Sequence, residues 1–155
     1  MLHFAYGSNM SRRVMRRHAP HAEPLGAARL PGYRFVITAN GYASVAPLRA
    51  GTVHGVLWRL TPRDRVTLDA WESVAAGEYG VEILPVVQAG RRRRALVYVA
   101  RRRRVGAAKP GYMEVVIAAA REWELSEAYI ASLLRFLPKR PFGAGQRKFG
   151  EFGWT

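Results

Sequence analysis

The stretch Leu2-His3-Phe4-Ala5-Tyr6-Gly7-Ser8-Asn9-Met10 sets the reading of the whole chain. Leu2 to Ala5 has the length and apolar character of a short buried strand. Tyr6-Gly7-Ser8-Asn9 is a turn-rich tetrapeptide. Met10 to Arg17, with Met10, Val14 and Met15 apolar, reads as a short helix capped by Ser8 or Asn9. A glycine directly after a strand lets backbone N–H groups turn outward. Several such groups beside a helix start form a nest for a carboxylate or an oxyanion. Taken alone, such a turn is more often an ordinary strand-to-helix connection.

Working outward, Ala19-Pro20 ends the first helix. Tyr33 to Ile37 reads as a strand bounded by Pro31-Gly32 and Asn40-Gly41, and Ala43 to Ala46 as another, stopped by Pro47. Val53 to Leu60 is a strong strand, with Gly55 where another group must approach the backbone. Thr61-Pro62 opens a helix that runs to about Glu72. Tyr79 to Val87 and Ala95 to Ala100 are predicted strands joined through Ala89-Gly90 as a hairpin. Two arginine runs, Arg91 to Arg94 and Arg101 to Arg104, flank the second of them. Tyr112 to Trp123 has helical apolar spacing, and Ser126-Glu127 starts a last helix reaching about Phe136. Strands first, with helices inserted and two helices late, predict an α+β fold. The expected architecture is a single domain over 1–137 with a barrel-like mixed β-sheet and flanking helices. A basic, aromatic tail follows over 138–155.

Composition narrows the function classes. The chain has 155 residues, 49% of them apolar, and no cysteine, so disulfides, thiolate nucleophiles and Cys-based zinc sites are excluded. No apolar run approaches the roughly 20 residues of a spanning helix, and the first residues lack the basic-then-apolar pattern of a signal peptide. The expectation is a cytoplasmic protein with no membrane partner. The four histidines are scattered, and Pro20 breaks the helix that would align His18 with His21, so no metal site is expected. Net charge is +14, with 25 basic side chains of which only Lys109, Lys139 and Lys148 are lysines. Such a charge suits a solvated surface, draws in anionic small molecules, and is also the signature of a nucleic-acid or other polyanion partner.

The second informative stretch is Leu68-Asp69-Ala70-Trp71-Glu72. Glu72 ends a helix beside a tryptophan, and Ser73-Val74-Ala75-Ala76-Gly77 after it carries no charge. A carboxylate in apolar surroundings has a raised pKa and exchanges protons near neutral pH. A solvated helix-end carboxylate is the plainer alternative.

Phe4-Ala5-Tyr6-Gly7-Ser8-Asn9-Met10 resembles the N-terminal signature of the γ-glutamyl cyclotransferase-like family. So, in the family's order, do Ala43-Ser44-Val45-Ala46-Pro47, Val53-His54-Gly55-Val56-Leu57-Trp58, Leu68-Asp69, Glu72, Gly77 and Tyr79. The resemblance spans residues 2 to about 112. It implies a cofactor-free conversion of a γ-glutamyl amino acid or γ-glutamyl amine to 5-oxoproline and the free amine. By the same resemblance Glu72 is the general acid/base, Tyr6, Gly7, Ser8 and Asn9 hold the substrate, and Tyr79 and Tyr112 line the pocket. The Tyr-Gly-Ser-Asn form of the loop favours a γ-glutamyl amino acid. Two features depart from the family pattern: Ser73 stands where a glycine usually follows the glutamate, and the arginine runs are additional. The competing reading is the same fold without turnover, binding a polyanion through those arginines.

Overall fold

The structure is a computed structural model and describes residues 1–102 and 104–138. Five strands close into a barrel in the order β1-β3-β2-β4-β5: β1 (Leu2–Ala5), β2 (Glu23–Ile37), β3 (Ala43–Arg59), β4 (Tyr79–Gln88) and β5 (Arg91–Ala100). All neighbouring pairs are antiparallel except β1 with β5, which run parallel. Among the described residues, four α-helices flank the barrel: α1 (Arg12–His18), α2 (Pro62–Trp71), α3 (Tyr112–Glu122) and α4 (Glu127–Leu134). The fold is therefore α+β around a closed mixed sheet, as the order of elements implies. The tail expected over 138–155 lies, beyond Pro138, outside the described residues. No helix among the described residues is long and apolar enough to cross a membrane.

The two long strands differ most from the sequence reading. β2 begins ten residues before Tyr33, and β3 continues through Pro47 to join the two predicted strands. Proline and glycine hide this continuity. The β2–β3 ladder shifts register between Pro24 and Gly26 and again between Pro31 and Tyr33. At the second shift Pro31 pairs with Thr52 and Tyr33 with Pro47, so four residues of β3 bulge opposite Gly32. Pro47 has no N–H to give the ladder, and a bulge is where a strand tolerates that loss.

Arg91 to Arg94 are part of β5 and do not merely flank it; they pair across to Gln88, Val87, Val86 and Pro85. The turn before them is made by Ala89 and Gly90, both at positive φ (48° and 77°), the geometry that matches the twist of a two-residue hairpin. The first helix is also re-capped. Ser8–Met10 forms a single 3-10 turn, and Ser11, not Ser8 or Asn9, accepts the Val14 N–H at the start of α1. The Thr61-Pro62 start of α2 is as expected, with a reciprocal cap between Thr61 and Asp64.

Leu30, Val53, Val56, Leu57, Val86 and Val97 are fully buried in the core. The tightest backbone approach is at Gly55, where a Cβ would run into the Ala5 carbonyl oxygen and lie 2.7 Å from the Phe4 ring. Gly55→Ala should therefore destabilise the fold by about 2–3 kcal/mol, an overpacking cost, in urea unfolding. Gly80→Ala is the control. Its Cβ would come no nearer than 3.5 Å to Arg101, and its stability should change by less than about 1 kcal/mol.

Candidate active site

The turn after β1, the end of α2, the start of β4 and the start of α3 meet around a cavity of about 630 Å³. Tyr6, Gly7, Ser8, Asn9, Glu72, Tyr79 and Tyr112 all line it, so the structure brings together every site residue expected from the sequence. Their individual roles are more particular than the sequence indicates.

Glu72 is the C-cap of α2 and its N–H bonds to the Leu68 carbonyl. Ser73 follows in the left-handed region (φ 51°) and sends its N–H to Ala70, while Val74 sends its N–H to Asp69. These two bonds are a Schellman ending, whose left-handed residue is usually glycine. Ser73 thus keeps the backbone path that a glycine would take more easily. This path turns the chain sharply and leaves the Glu72 side chain facing the cavity. Asn9 Nδ2 donates to Glu72 Oε1 at 3.0 Å, tying the loop to the helix end. Burial pushes the Glu72 carboxyl up to about 7, and the Asn9 hydrogen bond opposes that rise.

The Tyr6 hydroxyl donates to the Tyr98 carbonyl at 2.5 Å, and its ring packs edge-on to Phe35. The Tyr112 hydroxyl accepts the Ala43 N–H at 3.3 Å, and its interactions with Ala43 and Ser8 oppose the rise that burial gives its pKa. Gly7 faces that hydroxyl, and a Cβ there would lie 2.7 Å from it. Tyr79 donates to the Ala43 carbonyl at 2.6 Å. Tyr79 and Tyr112 therefore grip the two sides of one residue, Ala43. Burial raises the pKa of Tyr6, Tyr79 and Tyr112, the last to about 12, so all three stay neutral at ordinary pH.

Sequence reasoning missed Tyr98 and the role of Asp69. Tyr98 lines the cavity and donates to Asp69 Oδ1 at 2.6 Å, and Asp69 in turn receives the Arg65 Nε at 2.9 Å. The signal was present: Asp69 and Glu72 are three apart on α2, hence on one face. Among the described residues, no group of three or more His, Asp or Glu side chains gathers to hold a metal ion. Arg91 to Arg94 and, from the second run, Arg101, Arg102 and Arg104 lie toward opposite ends of β5, while Arg103 is outside the described residues. Arg101 and Arg104 adjoin the cavity rim through backbone bonds to Glu78 and Ala39. Arg91 to Arg94 begin the strand at its far end.

A closed five-stranded mixed barrel with flanking helices puts the chain in the class of small α+β barrel proteins. Residues 52–133 match the model of the AIG2-like family. The chain belongs to this AIG2-like, γ-glutamyl cyclotransferase-like family. Among solved structures it is similar to one described as a γ-glutamyl cyclotransferase (TM-score 0.84, 24% identity, 94% of this chain and 93% of that one). An uncharacterised protein from Homo sapiens is similar to the same degree (TM-score 0.83, 24% identity, 94% and 92% covered). YkqA from Bacillus subtilis follows with a TM-score of 0.76 and 26% identity over 87% of this chain and 53% of that one. No curated protein sequence matches the chain.

Two measurements check the site's energetics. A glycine at position 73 removes the left-handed penalty on serine, so Ser73→Gly should stabilise the protein by about 1 kcal/mol in urea unfolding. The second concerns pH. Folding raises the Glu72 carboxyl from 4.5 to about 7, so between these values the folded state holds a proton that the unfolded state has lost. Its contribution is complete below pH 4.5 and is lost as pH rises through 7. Glu72→Gln should therefore gain stability on wild type across that window, by at most about 3 kcal/mol, less what solvent screens at a half-buried group. A stability difference that does not change between pH 4 and pH 8 would contradict the raised carboxyl.

Proposed function

We propose that the chain is a γ-glutamyl cyclotransferase that releases a free amine from a γ-glutamyl compound by closing the glutamyl group into 5-oxoproline. The observation that carries this reading is a carboxyl poised near 7 in a tyrosine-lined cavity, held by an asparagine of the adjoining loop. The relatives' fold supports it, as does the structure described as a γ-glutamyl cyclotransferase.

The reaction needs no enzyme nucleophile, because the attacking α-nitrogen and the γ-carbonyl carbon belong to one molecule. Three tasks remain for the protein. The cavity folds the extended glutamyl chain so that nitrogen and carbon meet, which supplies several kcal/mol as positioning. Glu72, ionised, takes a proton from the α-ammonium and frees its lone pair. The nitrogen attacks the γ-carbon, the carbonyl electrons move onto oxygen, and a tetrahedral centre forms. Glu72 then returns a proton to the departing nitrogen as the old C–N bond breaks. In total the α-nitrogen sheds two protons and the leaving nitrogen gains two, so the products are the lactam and an ammonium. A pKa near 7 lets one carboxyl serve in both directions. Backbone N–H groups of the Gly7–Asn9 turn are the donors for the substrate carboxylate or the transient oxyanion. In this reading Tyr112, whose hydroxyl faces Gly7, keeps that turn in place.

Glu72→Gln keeps the shape but cannot carry a proton. It should abolish 5-oxoproline release from a panel of γ-glutamyl compounds while the protein stays folded by its melting curve; activity in that folded variant would sink the mechanism. The loop gives a graded check. Ser8→Ala should lower kcat/KM modestly, whereas Gly7→Ala pushes on the Tyr112 hydroxyl and should cost a hundredfold or more, about 3 kcal/mol. Replacing Arg91 to Arg94 with Gln, at the end of β5 remote from the rim, should leave kcat/KM within a few-fold.

A further inference from the structure

Arg91 to Arg94 take no part in the reaction scheme, and the sheet register divides them. Arg93 pairs with the fully buried Val86, so it belongs to the inner face, and its Nη1 donates to Gln88 Oε1 at 3.0 Å. By strand alternation Arg92 and Arg94 stand on the outer face. Arg92 pairs with Val87 of β4, Val87 with Arg29 of β2, and Arg29 with His54 of β3. Residues directly opposite each other project to the same side of a sheet, so these four form one row across the barrel wall. Burial agrees: Leu30, Val53 and Val86, one position off the row, are buried, whereas Arg29, Arg92 and Arg94 are exposed. His54 ends the row, with its ring stacked on Tyr129 at 4.3 Å.

Three arginines thus share one exposed face although they come from β2 and β5. Strand geometry puts Arg92 and Arg94 about 7 Å apart along β5, and Arg29, two strands away, about 10 Å from Arg92. The ion pairs among the described residues are Arg12–Glu122, Arg59–Glu23 and Arg65–Asp69, so none of the three has a carboxylate partner. Like charges held this close on a sheet repel one another, and an anion with several charges relieves that repulsion. The planar guanidinium fork suits phosphate oxygens. An array this broad fits repeating phosphates better than one small anion. The ring at the end of the row, Tyr129, is buried against His54, so unpaired bases find no stacking platform there. The matching partner is one that presents its backbone outward and keeps its bases inside. We propose that the outer face of β2, β4 and β5 docks the phosphate backbone of duplex nucleic acid through Arg29, Arg92 and Arg94. None of the three lines the cavity, so this surface stands independently of the cyclotransferase reading.

The test is fluorescence anisotropy with the full chain and labelled oligonucleotides of about 20 base pairs, read between about 50 and 200 mM salt. The probes are a DNA duplex, an RNA duplex and a single strand. Wild type should bind a duplex more tightly than the single strand, and the two duplex arms tell which nucleic acid docks. Arg29→Gln/Arg92→Gln/Arg94→Gln should weaken duplex binding at least about tenfold and flatten the plot of log K against log salt by about 3, roughly 0.9 for each lost phosphate contact. Arg13→Gln/Arg16→Gln/Arg17→Gln removes the same charge from exposed positions of α1 and should change that slope by less than about 1. Replacing the three face arginines with lysine should keep most of the slope. If the triple glutamine variant melts early, Arg92→Glu alone gives the reading, with a slope lower by about 1. No duplex binding by wild type at the lowest salt overturns the proposal. So does equal weakening in the two triple glutamine variants, which would mean net charge alone, or tighter binding of the single strand than of either duplex.

Discussion

The barrel depends on one short strand. β1 has four residues, Leu2–Ala5, and it closes the sheet by standing between β3 and β5. On the β3 side it makes a regular antiparallel ladder from Leu2 opposite Arg59 to Ala5 opposite Val56. On the β5 side the pairing is parallel and centres on His3 opposite Leu96. Parallel pairing is slightly less stable per residue, and here a side chain reinforces it: His3 Nδ1 donates to the Leu96 carbonyl at 3.1 Å. Burial holds that imidazole neutral down to about pH 4, so no charge enters the seam across the ordinary pH range. Phe4 is fully buried, and the Ala5 carbonyl at the end of the strand occupies the space that a side chain at position 55 would need. The loop that lines the cavity leaves from that fixed point.

The cavity is organised so that the Glu72 carboxyl titrates near neutrality while the tyrosines around it do not. Tyr6, Tyr79, Tyr98 and Tyr112 are all shifted upward by desolvation, and each hydroxyl bonds to protein. Glu72 is shifted upward too, but from a lower starting point, so it alone comes to rest near neutrality. The same burial therefore makes the phenols inert and the carboxyl responsive. Asn9 is the counterweight: by hydrogen-bonding the carboxylate it holds the shift back.

The local code of the short elements was legible, and the long-range ladder was not. Thr61-Pro62, Ala89-Gly90 and Ser126 each mark a boundary by backbone chemistry confined to a few residues, and all three stand where the sequence places them. β2 and β3 were broken up because Pro24, Pro31 and Pro47 interrupt the alternation on which a strand is recognised. The ladder absorbs them as bulges, a tertiary solution that no window of sequence contains. Arg91 to Arg94 carry no strand signal of their own for a related reason: their β conformation comes from pairing with Val86 and its neighbours, not from their own propensity. At the site, Glu72 and the Tyr6–Asn9 turn were found because a family resemblance located them. Tyr98 was hidden because only the barrel brings β5 beside α2.

Barrel closure through β1 also orders events in time. The partners of β1 begin more than forty residues downstream in β3 and about ninety downstream in β5. Structure that relies on such distant pairings forms slowly, since loop-closure entropy must be met before the contacts reward it. During synthesis, the first strand is made long before its parallel neighbour exists. The β2–β3 ribbon can assemble early, but Phe4 has no completed interior to enter until β5 has left the ribosome. The cavity needs both ends of this process, because it joins residues 6–9 to residue 112. A nascent chain truncated before α3 would thus possess Glu72 without the surroundings that set its acidity.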